Sequence, residues 1–385
     1  YYQRLFQSLK LEKKDINSIQ DLEKLPILTK DKVRKEPESF LSRQSSRRVI
    51  NSHTGGSTGA PLKYSMSPEC YCRGIALLLR GWGYAGYRPG CRLAVIAGAS
   101  LVSNEETFMR KAQDIVLNYR HYSSYGMDSN IMNKYLLHMN KWKPSYLRGY
   151  ASSLFLFAKH IGDNSLDLQF HLNGIFSTAE VLTIKQRELI EKIFKTKVFN
   201  TYGLDDGGGS AFECDMHSGM HIDLERSIMQ TVNESGMVIA GKVGKIIVTS
   251  LHNYAMPFIR YDTGDLGMID DVSVCPCGNK RPLLLEVCGR TTDYLKLNNK
   301  IIGSPVLTVL MGKVDVDSYQ IIQIKHNEID IKYVKKSIIG IDDESLIKQS
   351  FYNHVGSIKI NFIKIEMSDL VGENKHKFII NEVCP

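Results

Sequence analysis

A loop rich in glycine and hydroxyl side chains is the part of this sequence best suited to binding an anion. It lies within positions 51–65, NSHTGGSTGAPLKYS, between two strand-like runs. Glycines let backbone N–H groups approach an anion closely, and hydroxyls can donate to phosphate oxygens. The Gly-Lys-Ser/Thr ending and the following helix of a Walker loop are both missing. The segment therefore predicts a phosphate loop of another kind, and the alternative is a flexible glycine turn.

Cysteines and histidines form a second set with chemical potential. Cys275 and Cys277 make a CPCG turn, and Cys214 lies upstream in FECDMHSGMH together with His217 and His221. Three cysteines and one histidine are a common ligand set of structural, tetrahedral zinc sites. The residues alone leave open which histidine takes part, and reduced thiols beside a surface histidine are the alternative. The remaining cysteines are expected to pack inside the fold: Cys70, Cys72, Cys91, Cys288 and Cys384.

The elements that must position these residues alternate between strand and helix from about position 48 to 270. Short apolar runs such as RLAVIAG and GIFST separate amphipathic helices near 68–82, 129–141, 152–161 and 183–194. This alternation predicts an α/β fold with a mostly parallel, layered sheet. Hairpin-like strands around HIDLE, IMQTV and KIIVTSL then predict an antiparallel annex, with one turn at Glu234, Ser235 and Gly236.

The two ends of the sequence have different patterns from its middle. Residues 1–45 carry helical patterning that is broken at LPILTK, which predicts a segment laid on the main body. The last 90 or so residues contain a hairpin, a helix with an acidic start and a stop at Gly356, and a strand. We therefore expect a large domain over residues 1–293 and a small α+β domain over residues 294–385.

Composition excludes several classes of protein. The 385 residues are 43% hydrophobic and 9% aromatic, which is unlike a disordered or fibrous chain. No apolar run reaches the roughly 18 residues of a membrane span. The net charge of +8 is dispersed, so it favours anionic ligands rather than nucleic acid. Eight unevenly placed cysteines without a signal peptide favour a reducing cytoplasm.

Four ordered motifs together resemble the AMP-forming adenylating superfamily. They are the glycine loop, FNTYGLDDGGG at 199–209, FIRYDTGDLG at 258–267 and EVCGRTTDYLKL at 286–297. Within that superfamily, the sequence is most similar to the branch of phenylacetate-CoA ligases and CapK-type capsular polysaccharide proteins. The segments that carry this similarity are LPILTK, LRGYASSL, STAE and CPCG. In such enzymes a carboxylate attacks the α-phosphorus of ATP, pyrophosphate leaves, and a second nucleophile captures the acyl adenylate.

The resemblance assigns roles to individual positions. It implies that Tyr202 and Gly203 lie against the adenine and the α-phosphate of the nucleotide. It also implies that Asp265 accepts hydrogen bonds from both ribose hydroxyls. Arg290 would reach the ribose or phosphate, where a guanidinium offers paired donors. Asp206 falls where the family has a magnesium-binding glutamate, and it is one methylene shorter. The phosphate-binding residues implied by the resemblance are Thr54, Gly55, Gly56, Ser57, Thr58 and Gly59, with Thr58 also in a catalytic role and Lys63 as an additional cation or a solvated strand lysine.

Further roles come from the same resemblance. Asp293 would be the hinge about which the small domain rotates between the half-reactions. Asn299 replaces a family glycine, and asparagine tolerates left-handed backbone. Lys375, with Asn374 before it, is preferred to Lys377 as the C-terminal lysine that stabilises the adenylation transition state. Related ligases place the metal-binding histidine seven residues after the first cysteine, which selects His221 alongside Cys214, Cys275 and Cys277 as the zinc ligands.

The substrate acid and its acceptor are less defined. The resemblance implies a pocket lined by the segments 150–152 and 177–180, whose small side chains do not specify a ring or a chain. Expected cofactors are ATP, Mg²⁺ and a structural Zn²⁺. The favoured acceptor is an amine in surface-polysaccharide assembly, and the alternative is coenzyme A. A non-catalytic nucleotide-binding protein is a third hypothesis, because Asp206, Asn299 and Asn374 replace family residues.

Overall fold

The computed structural model of the chain describes residues 1–43, 49–54, 62–97, 108–124, 127–290, 294–298, 300–303, 307, 311, 314, 316–335, 339–366, 369 and 378–383. The chain divides into two units, which are Tyr1–Arg88 with Phe199–Val287, and Pro89–Val198 with Cys288–Pro385. The expected boundary between residues 293 and 294 stays a prediction. Among the helices of these described ranges, none combines the length and the apolar character needed to cross a membrane.

Helices and short 3₁₀ turns begin the first unit, followed by a hairpin and one long helix. The helices are α1 Tyr2–Ser8, α2 Lys30–Lys35, α3 Pro37–Phe40 and α4 Pro68–Trp82, and the hairpin strands are β1 Ile50–His53 and β2 Lys63–Met66. The helix α4 starts where Ser67 accepts the Cys70 N–H at 3.2 Å and proline follows the cap.

Antiparallel strands complete the first unit in the order β10-β11-β12-β13-β9-β8-β7. Their bounds are β7 Val198–Gly203, β8 Ser210–Glu213, β9 Met220–Ile222, β10 Ser227–Val232, β11 Val243–Ser250, β12 Tyr261–Asp270 and β13 Leu283–Arg290. The core between them and the N-terminal segment includes Phe258, Tyr261 and Val248, which are 1% exposed or less. The predicted annex is therefore present, but the HIDLE strand ends at Ile222 and turns through Leu224–Arg226.

The N-terminal segment is tied to strand β12 as the break at LPILTK predicts. Leu28 pairs in parallel with Tyr261, and the Arg260 guanidinium donates to the carbonyls of Leu25 at 2.7 Å and Glu23 at 3.1 Å. Arg260 is buried, and its partners here are main-chain oxygens. Such a set of hydrogen bonds holds one end of β12 firmly in place.

The second unit contains a parallel sheet with helices, in the order β6-β5-β3-β4. Its elements up to residue 194 are β3 Leu93–Ala97, α5 Phe108–Leu117, β4 Tyr119–Ser123, α6 Ser129–Trp142, β5 Tyr146–Tyr150, α7 Ala151–Asp163, β6 Gly174–Thr178 and α8 Ile184–Phe194. The helix–strand alternation predicted from sequence is confirmed here, and the structure adds α5 and β4, which were not predicted. The strand β4 is a partly polar edge strand, so its hydrophobic signal is weak.

The C-terminal part of the second unit is a small mixed sheet with a helix, as predicted. The hairpin β14 Tyr294–Leu297 and β15 Lys300–Gly303 precedes a sheet of order β18-β17-β16-β19. That sheet and its helix are β16 Ser318–Lys325, β17 Glu328–Val334, α9 Ile341–Val355, β18 Lys359–Lys364 and β19 Ile379–Asn381. The helix α9 stops at Gly356, whose φ is +83°.

Candidate nucleotide site and cysteine-histidine cluster

A bulge in strand β12 presents Asp265. Ile247 of β11 faces Asp262 and Lys245 faces Leu266, so the three residues between them on β12 oppose Ile246 alone. Gly264 at the centre has a φ of +78°, which a larger side chain rarely adopts. The Thr263 hydroxyl donates to the Ile246 carbonyl at 2.9 Å and accepts from the Asp265 N–H at 3.0 Å. The TGD motif thus turns the Asp265 side chain out of the regular ladder.

Tyr202 meets Asp265, and this contact joins two of the ordered motifs within the first unit. The Tyr202 hydroxyl donates to Asp265 Oδ2 at 2.8 Å. Burial, followed by the nearby Asp265 charge, raises the pKa of Tyr202 well above its usual value, so the hydroxyl keeps its proton and donates. Gly203 ends β7 in an exposed position, where its backbone is open to a ligand.

Asp206 lies in the loop that follows Tyr202 and is held by a second tyrosine. Tyr261 donates its hydroxyl to Asp206 Oδ2 at 2.5 Å, and Asp206 itself is 7% exposed. The loop packs tightly, because a Cβ at Gly207 would lie 2.8 Å from Val248 Cγ2. Oδ1 of Asp206 is left as the candidate ligand of a hard cation such as Mg²⁺.

Thr54 closes the base of the glycine loop. Its N–H donates to the Leu62 carbonyl at 3.0 Å, and its Oγ1 accepts from the Leu62 N–H at 3.0 Å. The chain then enters strand β2 rather than a helix, in agreement with the exclusion of a Walker loop. Lys63 is exposed on that strand. The other predicted phosphate-binding positions lie outside the described residues: Gly55, Gly56, Ser57, Thr58 and Gly59.

Several other predicted residues belong to the second unit. Arg290 is half-buried at the end of β13. Asp293, Asn299, Lys375 and Lys377 lie outside the described residues, so their roles stay predictions.

The two segments predicted to line the acid pocket are neighbours in the parallel sheet. Strands β5 and β6 pair with Tyr150 beside Thr178. Glu180 then accepts a hydrogen bond from the Ser152 N–H at 2.9 Å and so caps the start of α7. Ala179, which lies between Thr178 and Glu180, has a φ of +69°, a strained value for alanine. The STAE motif therefore shapes a fixed turn at the carboxyl ends of these strands.

The cysteine-histidine cluster assembles in the first unit. The ligand atoms of Cys214, His221, Cys275 and Cys277 all lie within 4.8 Å of one another. Cys214 Sγ is 3.6 Å from Cys275 Sγ, and Cys277 Sγ is 3.4 Å from His221 Nε2. Tetrahedral zinc, with bonds of about 2.3 Å to sulfur and 2.0–2.1 Å to nitrogen, needs separations of roughly 3.6–3.8 Å. The donor set and its spacing fit a closed structural zinc site.

The structure distinguishes the two candidate histidines. His217 is directed elsewhere, with Nδ1 3.3 Å from Glu213 Oε2 and its ring against Phe199. Burial and the nearby Arg281 lower the pKa of His221, which favours the neutral imidazole that binds metals. Burial raises the pKa of Cys214 to about 12, so a cation is needed to hold that sulfur as thiolate at neutral pH.

Sequence reasoning missed three residues that organise this region. Tyr261 orients Asp206, Arg226 pairs with Asp205 at 2.9 Å, and buried Asp223 accepts from the Ser210 hydroxyl at 2.6 Å and from Arg80 at 2.5 Å. Only Tyr261 carried a usable signal, because it opens the YDTGD motif. Arg226 and Asp223 become neighbours of their partners only through folding.

Comparisons with known proteins agree with the motifs. No family profile matches the chain. Protein CapK of Staphylococcus aureus is 27% identical over 357 residues, covering 91% of this chain and 77% of CapK. A phenylacetate-coenzyme A ligase of Thermus thermophilus is 25% identical over 349 residues, covering 88% of this chain and 77% of that enzyme.

A solved structure gives the same relationship at the level of fold. The crystal structure of 2-hydroxyisobutyryl-CoA ligase, in the postadenylation state with an acyl-AMP bound, superposes with a TM-score of 0.75 at 15% identity. It covers 99% of this chain and 85% of that one, and the likeness concerns the α/β fold with its smaller C-terminal sheet. The resemblance seen in the motifs is thus confirmed: the chain is similar in sequence to CapK and to the phenylacetate-coenzyme A ligases, and it has the fold of an AMP-forming CoA ligase.

Proposed function

We propose that this protein is an ATP-dependent, AMP-forming ligase that activates an organic acid as its acyl adenylate and transfers the acyl group to an amine or similar acceptor. The observation that carries the proposal is the 2.8 Å contact between Tyr202 and Asp265, with Asp206 held beside them by Tyr261. These contacts bring together the Tyr202 ring, which can lie on a purine, and the Asp265 carboxylate, which can accept hydrogen bonds from ribose hydroxyls. Asp206 adds a candidate cation ligand.

The chemistry in this proposal has two steps. An oxygen of the acid's carboxylate attacks the α-phosphorus of ATP, and the bond to the leaving pyrophosphate breaks. The acceptor nucleophile then attacks the acyl carbon, and AMP leaves with the bonding electron pair. Alignment of the reactants can contribute roughly 7–11 kcal/mol to such reactions, so the residues mainly hold and orient. Mg²⁺ at Asp206 would neutralise phosphate charge, and the sequence resemblance gives Arg290 and Lys375 the role of additional positive charges.

The zinc assignment is part of the same proposal. Cys214, His221, Cys275 and Cys277 would hold one Zn²⁺ that closes the loops of the annex. With all four positions taken by protein ligands, the ion would have a structural role.

ATP–pyrophosphate exchange with a panel of carboxylic acids tests the adenylation step. We expect exchange that depends on one class of acid, and a loss of about 10- to 100-fold in Asp265→Ala, because charge-assisted hydrogen bonds to the ribose are removed. Asp31→Ala, which changes an exposed aspartate of α2, is the matched control and should exchange as wild type does. Undiminished exchange in Asp265→Ala would contradict the site, and tight ATP binding without exchange would favour a non-catalytic nucleotide-binding protein.

The acceptor is tested separately. An amine acceptor in surface-polysaccharide assembly is what the CapK-type sequence motifs imply, and a thioester product is supported by the similarity to a phenylacetate-coenzyme A ligase. Once the acid is known, coenzyme A and a set of amino sugars and amino acids are supplied to the preformed adenylate. Amide formation favours the amine acceptor, and thioester formation with coenzyme A alone favours the alternative.

A further inference from the structure

A short segment, His221–Arg226 with the sequence HIDLER, connects the cysteine-histidine cluster to the loop that carries Asp206. His221 contributes to the cluster, and Arg226, five residues later, forms an ion pair with Asp205, the neighbour of Asp206. We call this segment the connecting segment. The segment is short, and hydrogen bonds within its own backbone limit how far it can bend between the two sites.

The connecting segment is hydrogen-bonded to both ends of the Asp206 loop, residues 205–210. At the start of the loop, Arg226 Nη2 donates to Asp205 Oδ1 at 2.9 Å. At the end of the loop, the Asp223 N–H donates to the Ser210 carbonyl at 2.9 Å, and the Ser210 hydroxyl donates to Asp223 Oδ2 at 2.6 Å. The loop from 205 to 210 is therefore held at two points by residues only three positions apart.

Arg226 is itself fixed in place. Its N–H donates to the Asp223 carbonyl at 2.9 Å, and its carbonyl accepts from the Leu251 N–H at 3.1 Å. The guanidinium lies against α4, where a Cβ at Gly74 would come within 3.1 Å of Nη2. Its side chain is 14% exposed, whereas that of Asp205 is 69% exposed. A pair with one exposed member adds little to stability, so its main consequence is the position of the loop.

Between the cluster and Arg226, the connecting segment is also held by ion pairs. The buried Asp223 carboxylate accepts from Arg80 of α4 at 2.5 Å, and Glu225 accepts from Arg80 at 2.7 Å and from Arg281 at 2.5 Å. Arg281 follows the CPCG turn by three residues. The segment, the metal-binding turn and α4 are thus joined by one network.

We propose that the connecting segment positions the candidate magnesium ligand, with Arg226 as the positioning residue that acts on Asp206 through Asp205. The proposal rests on the adenylating function proposed above, and it assigns the annex a role in nucleotide use beyond holding its own loops together. Residues that orient a metal ligand typically change metal affinity about 10- to 100-fold when they are replaced. The effect is therefore on Mg²⁺ requirement rather than on folding.

The kinetic test compares wild type, Arg226→Gln, Arg226→Lys and the control Arg73→Gln in ATP–pyrophosphate exchange at varied Mg²⁺. Arg73 lies on α4 and pairs at 2.9 Å with Glu69 rather than with Asp205. We expect Arg226→Gln to raise the Mg²⁺ concentration for half-maximal exchange about tenfold, with a smaller change in the rate at saturation. Lysine restores part of the affinity, because it keeps the charge. Arg73→Gln behaves as wild type.

A second measurement does not require turnover. Hydrogen exchange of the backbone from 203 to 212, in the full-length protein with its bound metal, should be faster in Arg226→Gln than in wild type or Arg73→Gln, while zinc content and Tm stay the same. If wild type performs no pyrophosphate exchange, the proposed function fails and the loop-holding role is judged by this measurement. Unchanged Mg²⁺ dependence together with unchanged hydrogen exchange would overturn the positioning role of Arg226.

Discussion

At the scale of single residues, two tyrosine–aspartate pairs define the candidate nucleotide site. Tyr202 donates to Asp265 and Tyr261 donates to Asp206, and in both pairs burial raises the pKa of the tyrosine, so that it serves as donor. The two pairs have different consequences for a ligand. Tyr261 leaves one oxygen of Asp206 for a cation, whereas Tyr202 occupies an oxygen of Asp265 that the ribose hydroxyls would use.

The Tyr202 hydroxyl should therefore compete with the nucleotide for Asp265. We expect Tyr202→Phe to bind AMP at least as tightly as wild type, because the ring stays and the competing donor is gone. Tyr202→Ala should bind about tenfold more weakly, because the stacking surface is lost. Isothermal titration calorimetry with AMP measures both affinities. A loss in the phenylalanine variant as large as in the alanine variant would mean that the hydroxyl itself binds the nucleotide.

At the scale of elements, bulges and turns rather than regular strands present the chemistry. The TGD bulge of β12 aims Asp265, the loop after β7 carries Asp206, and the turn after β6 places Glu180 on the start of α7. In the cluster, the CPCG turn carries two of the ligands and Cys214 directly follows β8, while His221 is held in the short strand β9. Loops of this kind depend on outside contacts for their shape, which explains the dense hydrogen bonding around them.

The two histidines of FECDMHSGMH provide a matched test of the cluster. We expect purified wild type to contain about one zinc per chain, and His221→Gln to lose most of it, because Nε2 of His221 faces the sulfurs. His217→Gln should keep its zinc, since that imidazole lies beside Glu213. Elemental analysis and thermal unfolding measure the metal content and the accompanying fall in Tm. Equal zinc content in the two variants would exclude His221 as a ligand.

At the scale of the whole molecule, the residues expected to act in the reaction are divided between the two units. Tyr202, Asp206 and Asp265 belong to the first, and Arg290 and Lys375 to the second. The proposed chemistry has two steps, and the sequence resemblance assigns the C-terminal lysine to the first of them, adenylation. We accordingly expect the C-terminal lysine to matter for one half-reaction more than for the other.

Lys375 and Lys377 can be compared by separating the half-reactions. We expect Lys375→Ala to slow ATP–pyrophosphate exchange by about 10²-fold, as removal of a group that stabilises transition-state charge does elsewhere. Transfer from a preformed acyl adenylate to the acceptor should change far less. Lys377→Ala is the control and should retain both steps. Loss of exchange in Lys377→Ala, with Lys375→Ala unaffected, would reverse the assignment.

The sequence by itself determined the α/β class, most helices and strands, and the motifs of the candidate nucleotide site. These features are local: a strand, a helix cap or a glycine turn is encoded by neighbouring residues, and YDTGD carries both its bulge and the carboxylate that the bulge presents. It also identified the cysteines of the cluster, although residue types and spacing without the resemblance left His217 and His221 equivalent.

Only the tertiary structure decided which side chains meet across long stretches of chain. Asp223 with Arg80, separated by 143 positions, and Tyr261 with Asp206, separated by 55, form contacts that no local pattern encodes. The edge strand β4 was likewise missed, because a partly exposed, polar strand carries a weak hydrophobic signal. The helix α5 was missed although its sequence carries a clear amphipathic pattern. Burial makes such contacts consequential, since a charged or hydroxyl group removed from water must find its partner wherever the fold brings one.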